Sequence, residues 1–313
     1  MVKEKNNMDA FNKTISVIEP VNEAMERTKT ILFKPFNLEK WFIIGFCAWL
    51  AELFQGGLGG FNGNFNHKEE FGKTIELCKA NIIFAVSCAA VGVVLVVAVI
   101  LVLLWLSSRG KFMFLDCLAK NKAHVKQPWQ EFKKQANSLL GFRLILIAAG
   151  FAYIAIIIVT IIVFAIFIKS VTNEKIFPIV LLPVIAITIP LIIIPGLLLG
   201  FVKTLTFDFV VPIMYLQRIG VFAAWGKFSH LLRQSFLKII LYLLFKILII
   251  VCIGATALFV IGLACCCCCI GAVVFIPYIG TVILLPLPSF YRLYSLCYLR
   301  QFGSEYDVFA AGL

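Results

Sequence analysis

Five stretches of this chain are apolar for longer than a bilayer is thick. They are Asn81 to Ser108, Leu144 to Ile168, Ile176 to Val202, Ile239 to Ala264 and Ile270 to Tyr291; only the fourth is interrupted by a charge, Lys246. A helix rising ~1.5 Å per residue crosses ~30 Å of hydrocarbon in about 20 residues, and each stretch meets that length. Strands are excluded, because the open edges of a sheet find no hydrogen-bond partners in lipid. Composition agrees: 62% of residues are hydrophobic and 14% charged, with mean hydropathy +1.00. Water-soluble domains carry about 25% charge. The polar N-terminal segment lacks the apolar core of a cleaved signal peptide, so the first span is expected to direct insertion.

A sixth, weaker run is Trp41 to Ala51, between Lys40 and Glu52. Alone it covers about half the hydrocarbon; extended to 38–54 it makes a short span, with a re-entrant or interfacial helix as the alternative. Charge distribution favours the span. With six spans and the N-terminus inside, segments 1–40, 109–143, 203–246 and 292–313 hold 23 of the 28 Lys and Arg, and the outer segments 52–80 and 169–175 hold 5. Omitting the first span puts the seven basic residues of 1–40 outside, against the positive-inside rule. The net charge of +12 therefore reads as a topology signal and not as nucleic-acid binding. The expected fold is all-α: a single integral membrane domain over 1–313, with an amphipathic cytoplasmic N-terminus (1–37), spans near 38–54, 81–107, 144–168, 176–202, 239–263 and 270–291, and both termini in the cytoplasm.

The expected inner loops carry an internal repeat. Val125-x3-Trp129-x2-Phe132 recurs 96 positions later as Val221-x3-Trp225-x2-Phe228. Each copy follows an inward-going span with an aromatic exit and precedes an outward-going span, as in parallel repeats. A fainter third copy runs from Val21 to Lys40. As amphipathic interfacial helices they would hold Trp129, Phe132, Trp225 and Phe228 at headgroup level while Lys and Arg reach anionic lipid. The alternative is packing of these helices against the underside of the bundle. The Gly-rich stretch Gln55 to Asn64 lacks the GxxxxGK[ST] order of a phosphate loop.

The segment Val210-Val-Pro-Ile-Met-Tyr-Leu-Gln-Arg-Ile-Gly-Val-Phe-Ala-Ala-Trp-Gly-Lys-Phe-Ser-His-Leu-Leu232 resembles the paired cytoplasmic helices of a broad group of bacterial multi-pass membrane proteins. That group includes the membrane domain attached to some glycerophosphodiester phosphodiesterases. Gln217 stands where the group usually has an acid. The resemblance implies a fold and little chemistry, since the phosphodiesterase activity belongs to a separate soluble barrel.

Few residues could carry chemistry. The three His, His67, His124 and His230, lie outside the apolar runs and apart from one another, and no acid lies deep in a span. No catalytic, cofactor or metal set is therefore expected. Lys246 is the one charge well inside a run; it either snorkels back toward Lys238 or forms a buried pair, for which Asp208 is the nearest acid. Proline concentrates in the fourth span (Pro190 and Pro195 among them) and the sixth (Pro286 and Pro288), where it is expected to kink or break the helix, for packing or at a solute path. The run Cys265 to Cys269 reads as small apolar residues at an outer turn, with a zinc site or a disulfide as alternatives. The sequence thus points to a non-enzymatic cell-membrane protein, accessory to an envelope or lipid process, or alternatively to a transporter or channel for a small or lipidic solute. Its expected partners are the bilayer and anionic headgroups; a protein partner or self-association is left open.

Overall fold

The computed structural model describes residues 15–53, 82–170, 177–266 and 277–310, and these form helices with no strand among them. In chain order they are α1 (Glu19–Phe33), α2 (Leu38–Glu52), α3 (Ile82–Lys120), α4 (Lys126–Glu131), α5 (Lys133–Ser170), α6 (Phe177–Leu205), a π-helical turn (Thr206–Val210), α7 (Val211–Gln217), α8 (Val221–Gln234), α9 (Phe236–Cys266), α10 (Pro277–Ile283) and α11 (Pro286–Arg300). The Gly-rich stretch and Cys267 to Cys269 lie outside the described residues.

Among the described residues, four helices are long and apolar enough to cross a membrane: Val86–Lys120, Lys133–Phe164, Thr188–Gln217 and Phe236–Phe259. The two weaker spans differ from expectation. At 15 residues α2 is about 22 Å long. The sixth run is not one helix: α10 ends at Ile283, a turn follows at Leu284 and Leu285, and α11 starts on Pro286. Pro286 and Pro288 occupy the first turn of α11, where a missing N–H costs nothing, and they stop the preceding helix. Pro190 and Pro195, by contrast, lie inside a continuous α6.

The long helices also outrun the apolar stretches. The helix α3 continues 13 residues past 107, and α5 begins at Lys133 rather than 144. Burial explains this. Residues 86–99 of α3 are exposed on every face, whereas Leu104 and most residues from 107 to 118 are buried. The apolar half is exposed, and the more polar half packs against protein.

Two compact units partition the chain. One comprises Ala24–Asn137 and Ile247–Leu293. Here α2 lies against α3 at Gly110, where an added Cβ would come within 2.6 Å of the backbone of Leu50 and Ala51. Ser107 Oγ donates to Ala51 O at 3.1 Å across this contact. On its other side α2 meets α10, with Trp41 Nε1 donating to Val282 O at 2.7 Å. Asn37 caps α2 by accepting from the Lys40 N–H. Ala24, Thr28, Ile31 and Leu32 form the one buried face of α1, at helical spacing.

The second unit comprises Met1–Glu23, Ser138–Lys246 and Tyr294–Ala311. Its core brings together the π-helical turn, α7, α8, the start of α9 and the end of α11. Val221, Ala224, Phe228 and Leu231 make the buried face of α8. The last turn of α11 is tied to the N-terminal segment: Gln301 exchanges hydrogen bonds with the Ser16 backbone at 2.8 and 2.9 Å, and Arg300 pairs with Glu23 at 2.7 Å.

Candidate functional site

Lys246 does not snorkel. Its ammonium donates to Oδ2 of Asp208, and the two side chains are 2% and 4% exposed. The carboxylate comes from the π-helical turn that joins α6 to α7. Such a turn carries one more residue than an α turn and is frequent at functional positions. Here the Val211 N–H reaches back five residues to Thr206 O. Thr206 supports the turn through its own Oγ1, which donates to Val202 O at 2.6 Å.

Tyrosines of α9 and α11 line the pair. Tyr242 precedes Lys246 by one turn, with its ring centroid 5.7 Å from Nζ, inside cation–π range. It stacks on Tyr294 at 5.5 Å and on Tyr298 at 4.5 Å. Phe209, next to Asp208, meets Tyr242 edge-on at 5.0 Å. The Tyr294 and Tyr298 hydroxyls donate to backbone carbonyls of Val17 and Lys238, which fixes both rings. Chemically the site is a neutralised ion pair in an aromatic enclosure. No group of three or more His, Cys, Asp or Glu able to hold a metal occurs among the described residues.

The other sequence candidates do not join this site. Pro190 is exposed and Pro195 half-buried, at least 13 residues before Asp208 on the exposed part of α6. Pro286 and Pro288 belong to the other unit.

The four aromatic candidates separate into two kinds. Phe132 and Phe228 are buried in protein contacts. Phe132 stacks on Phe112 at 5.7 Å with the rings 10° from parallel, and Phe228 stacks on Phe209 at 5.1 Å and 11°. Each locks a loop helix onto the helix before it. Trp129 and Trp225 stay half-buried. The left-handed residues Asn121 (φ 54) and Arg218 (φ 56) end α3 and α7, 97 positions apart, while Phe132 and Phe228 are 96 apart.

Sequence reasoning missed a second cluster. The Arg109 guanidinium lies 4.7 Å from the ring centroids of both Trp105 and Trp129 and donates through Nη1 to Trp129 O at 3.0 Å. The available signal was the spacing Trp105-x3-Arg109 at the end of an apolar run, which places both side chains on one helix face.

No curated protein and no solved structure matches the chain, and nothing links it to glycerophosphodiester phosphodiesterase membrane domains, so that resemblance gains no support. Residues 15–285, from just before α1 to the turn before α11, match one family. The chain belongs to DUF7544, a family of unknown function.

Proposed function

We propose that this protein is a non-enzymatic, multi-pass component of the cell membrane, accessory to an envelope or lipid process. In this reading it crosses six times with both termini in the cytoplasm. The short α2 makes the first crossing, and the segment that ends in α10 and α11 makes the last. The observation that carries the reading is the burial pattern of the long helices. Apolar stretches such as 86–99 of α3 are exposed on all faces, as lipid solvation requires, while the basic, aromatic ends are packed. The charge asymmetry across the spans supports the orientation.

The shared Phe stacks and left-handed helix ends support reading α3–α4–α5 and the run from α6 to α9 as two copies of one hairpin. Half-buried Trp129 and Trp225, together with neighbouring Lys and Arg, are suited to anionic headgroups.

One observation favours transport of a small or lipidic solute instead: Lys246 and Asp208 form a buried ion pair at an irregular turn, a feature met in solute paths. Reconstitution separates the two. Proteoliposomes holding the full chain are expected to leak protons and small solutes no faster than protein-free vesicles. A flux that Lys246→Met abolishes would select the transport reading. Labelling of single introduced cysteines in residues 1–14 and 311–313 from the cytoplasmic side alone is the expected topology result.

A further inference from the structure

The cage around Arg109 holds a buried cation. Arg109 is 6% exposed, and among the described residues no carboxylate pairs with it. Of its donors, Nη1 serves Trp129 O, while Nε is buried without a hydrogen-bond partner. The Nε–H and the adjacent Nη2–H point the same way and form the fork that fits two oxygens of a phosphate or carboxylate. Buried charges are ordinarily paired, and π faces soften but do not neutralise a guanidinium.

Position along α3 identifies the missing anion. The lipid-exposed apolar stretch runs to Leu101 and Val102, both exposed. Trp105 follows within a turn, and Arg109 lies one turn, about 6 Å, beyond Trp105. Apolar chain, aromatic belt and cation thus succeed one another in the order of acyl chain, interface and headgroup. The two indoles stand 5.6 Å apart at 89° and hold the guanidinium between them, so a ligand oxygen reaches the covered Nε only when the side chains over it shift aside.

Resting on the lipid-associated reading above, we propose that Arg109 holds the phosphodiester of one phospholipid through its Nε and Nη2 edge, with the acyl chains along the exposed face of α3. Trp105 and Trp129 form the walls of this headgroup site and report on it.

The test uses the full chain in detergent, with tryptophan fluorescence as the readout. The probes are short-chain phosphatidylglycerol, diacylglycerol of the same chains, and inorganic phosphate. Phosphatidylglycerol is expected to change the fluorescence saturably. Diacylglycerol and phosphate should do so only at far higher concentration, because each lacks one half of the ligand. Arg109→Gln should weaken phosphatidylglycerol by about tenfold, the worth of one charge-assisted hydrogen bond. Arg109→Lys, which keeps the charge and loses the fork, should fall between. Equal binding by wild type and Arg109→Gln overturns the site, as does a response to inorganic phosphate that matches the lipid's. Should Arg109→Gln fail to fold, the comparison of Arg109→Lys with wild type decides the question. Phospholipid retained through purification is measured in parallel. Wild type retaining none would sink the lipid-associated reading itself, whereas equal retention and equal binding in the variant would sink only this site.

Discussion

The Lys246–Asp208 pair makes a quantitative prediction. Replacing Lys246 with Met removes one charge, keeps most of the volume, and leaves the buried Asp208 carboxyl without its cation, at 4% exposure. Breaking a buried pair in this way costs about 3–5 kcal/mol, because the surviving charge keeps its desolvation cost without its partner. Asp208→Asn reverses the roles and should cost the same order. Removing both charges, in Lys246→Met with Asp208→Asn, should recover much of the loss, since a buried ion pair is often worth little against neutral groups of similar shape. The single variants should therefore unfold well below wild type and the double variant close to it. The assay is thermal unfolding in detergent followed by tyrosine and tryptophan fluorescence, with exposed Lys227 replaced by Met as the control. Strict additivity in the double variant would refute the argument. So would a Lys246→Met midpoint equal to that of the Lys227 control, which would mean that water reaches the carboxylate.

Gly110→Ala should cost about 1–3 kcal/mol, because the new Cβ meets backbone of Leu50 and Ala51 at 2.6 Å and no flexible side chain can yield; Gly92→Ala, with nothing within 4 Å, should be neutral in the same thermal assay. Phe132→Ala and Phe228→Ala should each cost about 3–5 kcal/mol by opening a cavity beside the stacked partner, whereas Trp225→Phe should cost far less; melting midpoints give the order. Burial, aided by Glu305, pushes the Tyr306 phenol up to about 12. Folding therefore favours the neutral phenol. The stability this contributes is complete below pH 10 and is lost as pH rises through about 12, so wild type should lose midpoint over that window faster than Tyr306→Phe.

What could be read from residues alone depended on which solvent each segment meets. Lipid demands long apolar helices, and the four longest stretches announced themselves because hydropathy measures that demand. Hydropathy is blind to where a helix goes once it leaves lipid. The sequence reading ended the second span near 107, yet α3 continues to Lys120 because Phe112, Leu115 and Leu118 find protein to pack against. Partnership between distant charges was half legible. Lys246 was conspicuous as a charge in an apolar run and Asp208 as the nearest acid, but the choice between snorkelling and pairing turns on the π-helical turn, which no residue pattern marked. The Phe residues of the repeat were legible as a pattern and ambiguous in role. A ring at headgroup depth and a ring in a stack have the same spacing, and only Phe112 and Phe209 on the facing helices distinguish them. The Arg109 cage escaped because Trp129 comes from another helix, 20 residues on.

Compared at equivalent places, the two hairpins share one arrangement of charge and stacked ring. In each, the stacked Phe directly follows a buried charged residue: Lys111 before Phe112, Asp208 before Phe209. In each, a neighbouring helix answers with the opposite charge. Glu52 at the end of α2 lies within electrostatic reach of Lys111, and Lys246 of α9 pairs with Asp208. The sign of the buried charge is thus inverted between the hairpins while its placement beside the stack is kept. A packing device needs only that each buried charge meet its opposite, whichever sign it carries. In the accessory reading proposed above, the Lys246–Asp208 pair is a fastener of α9 to the π-helical turn.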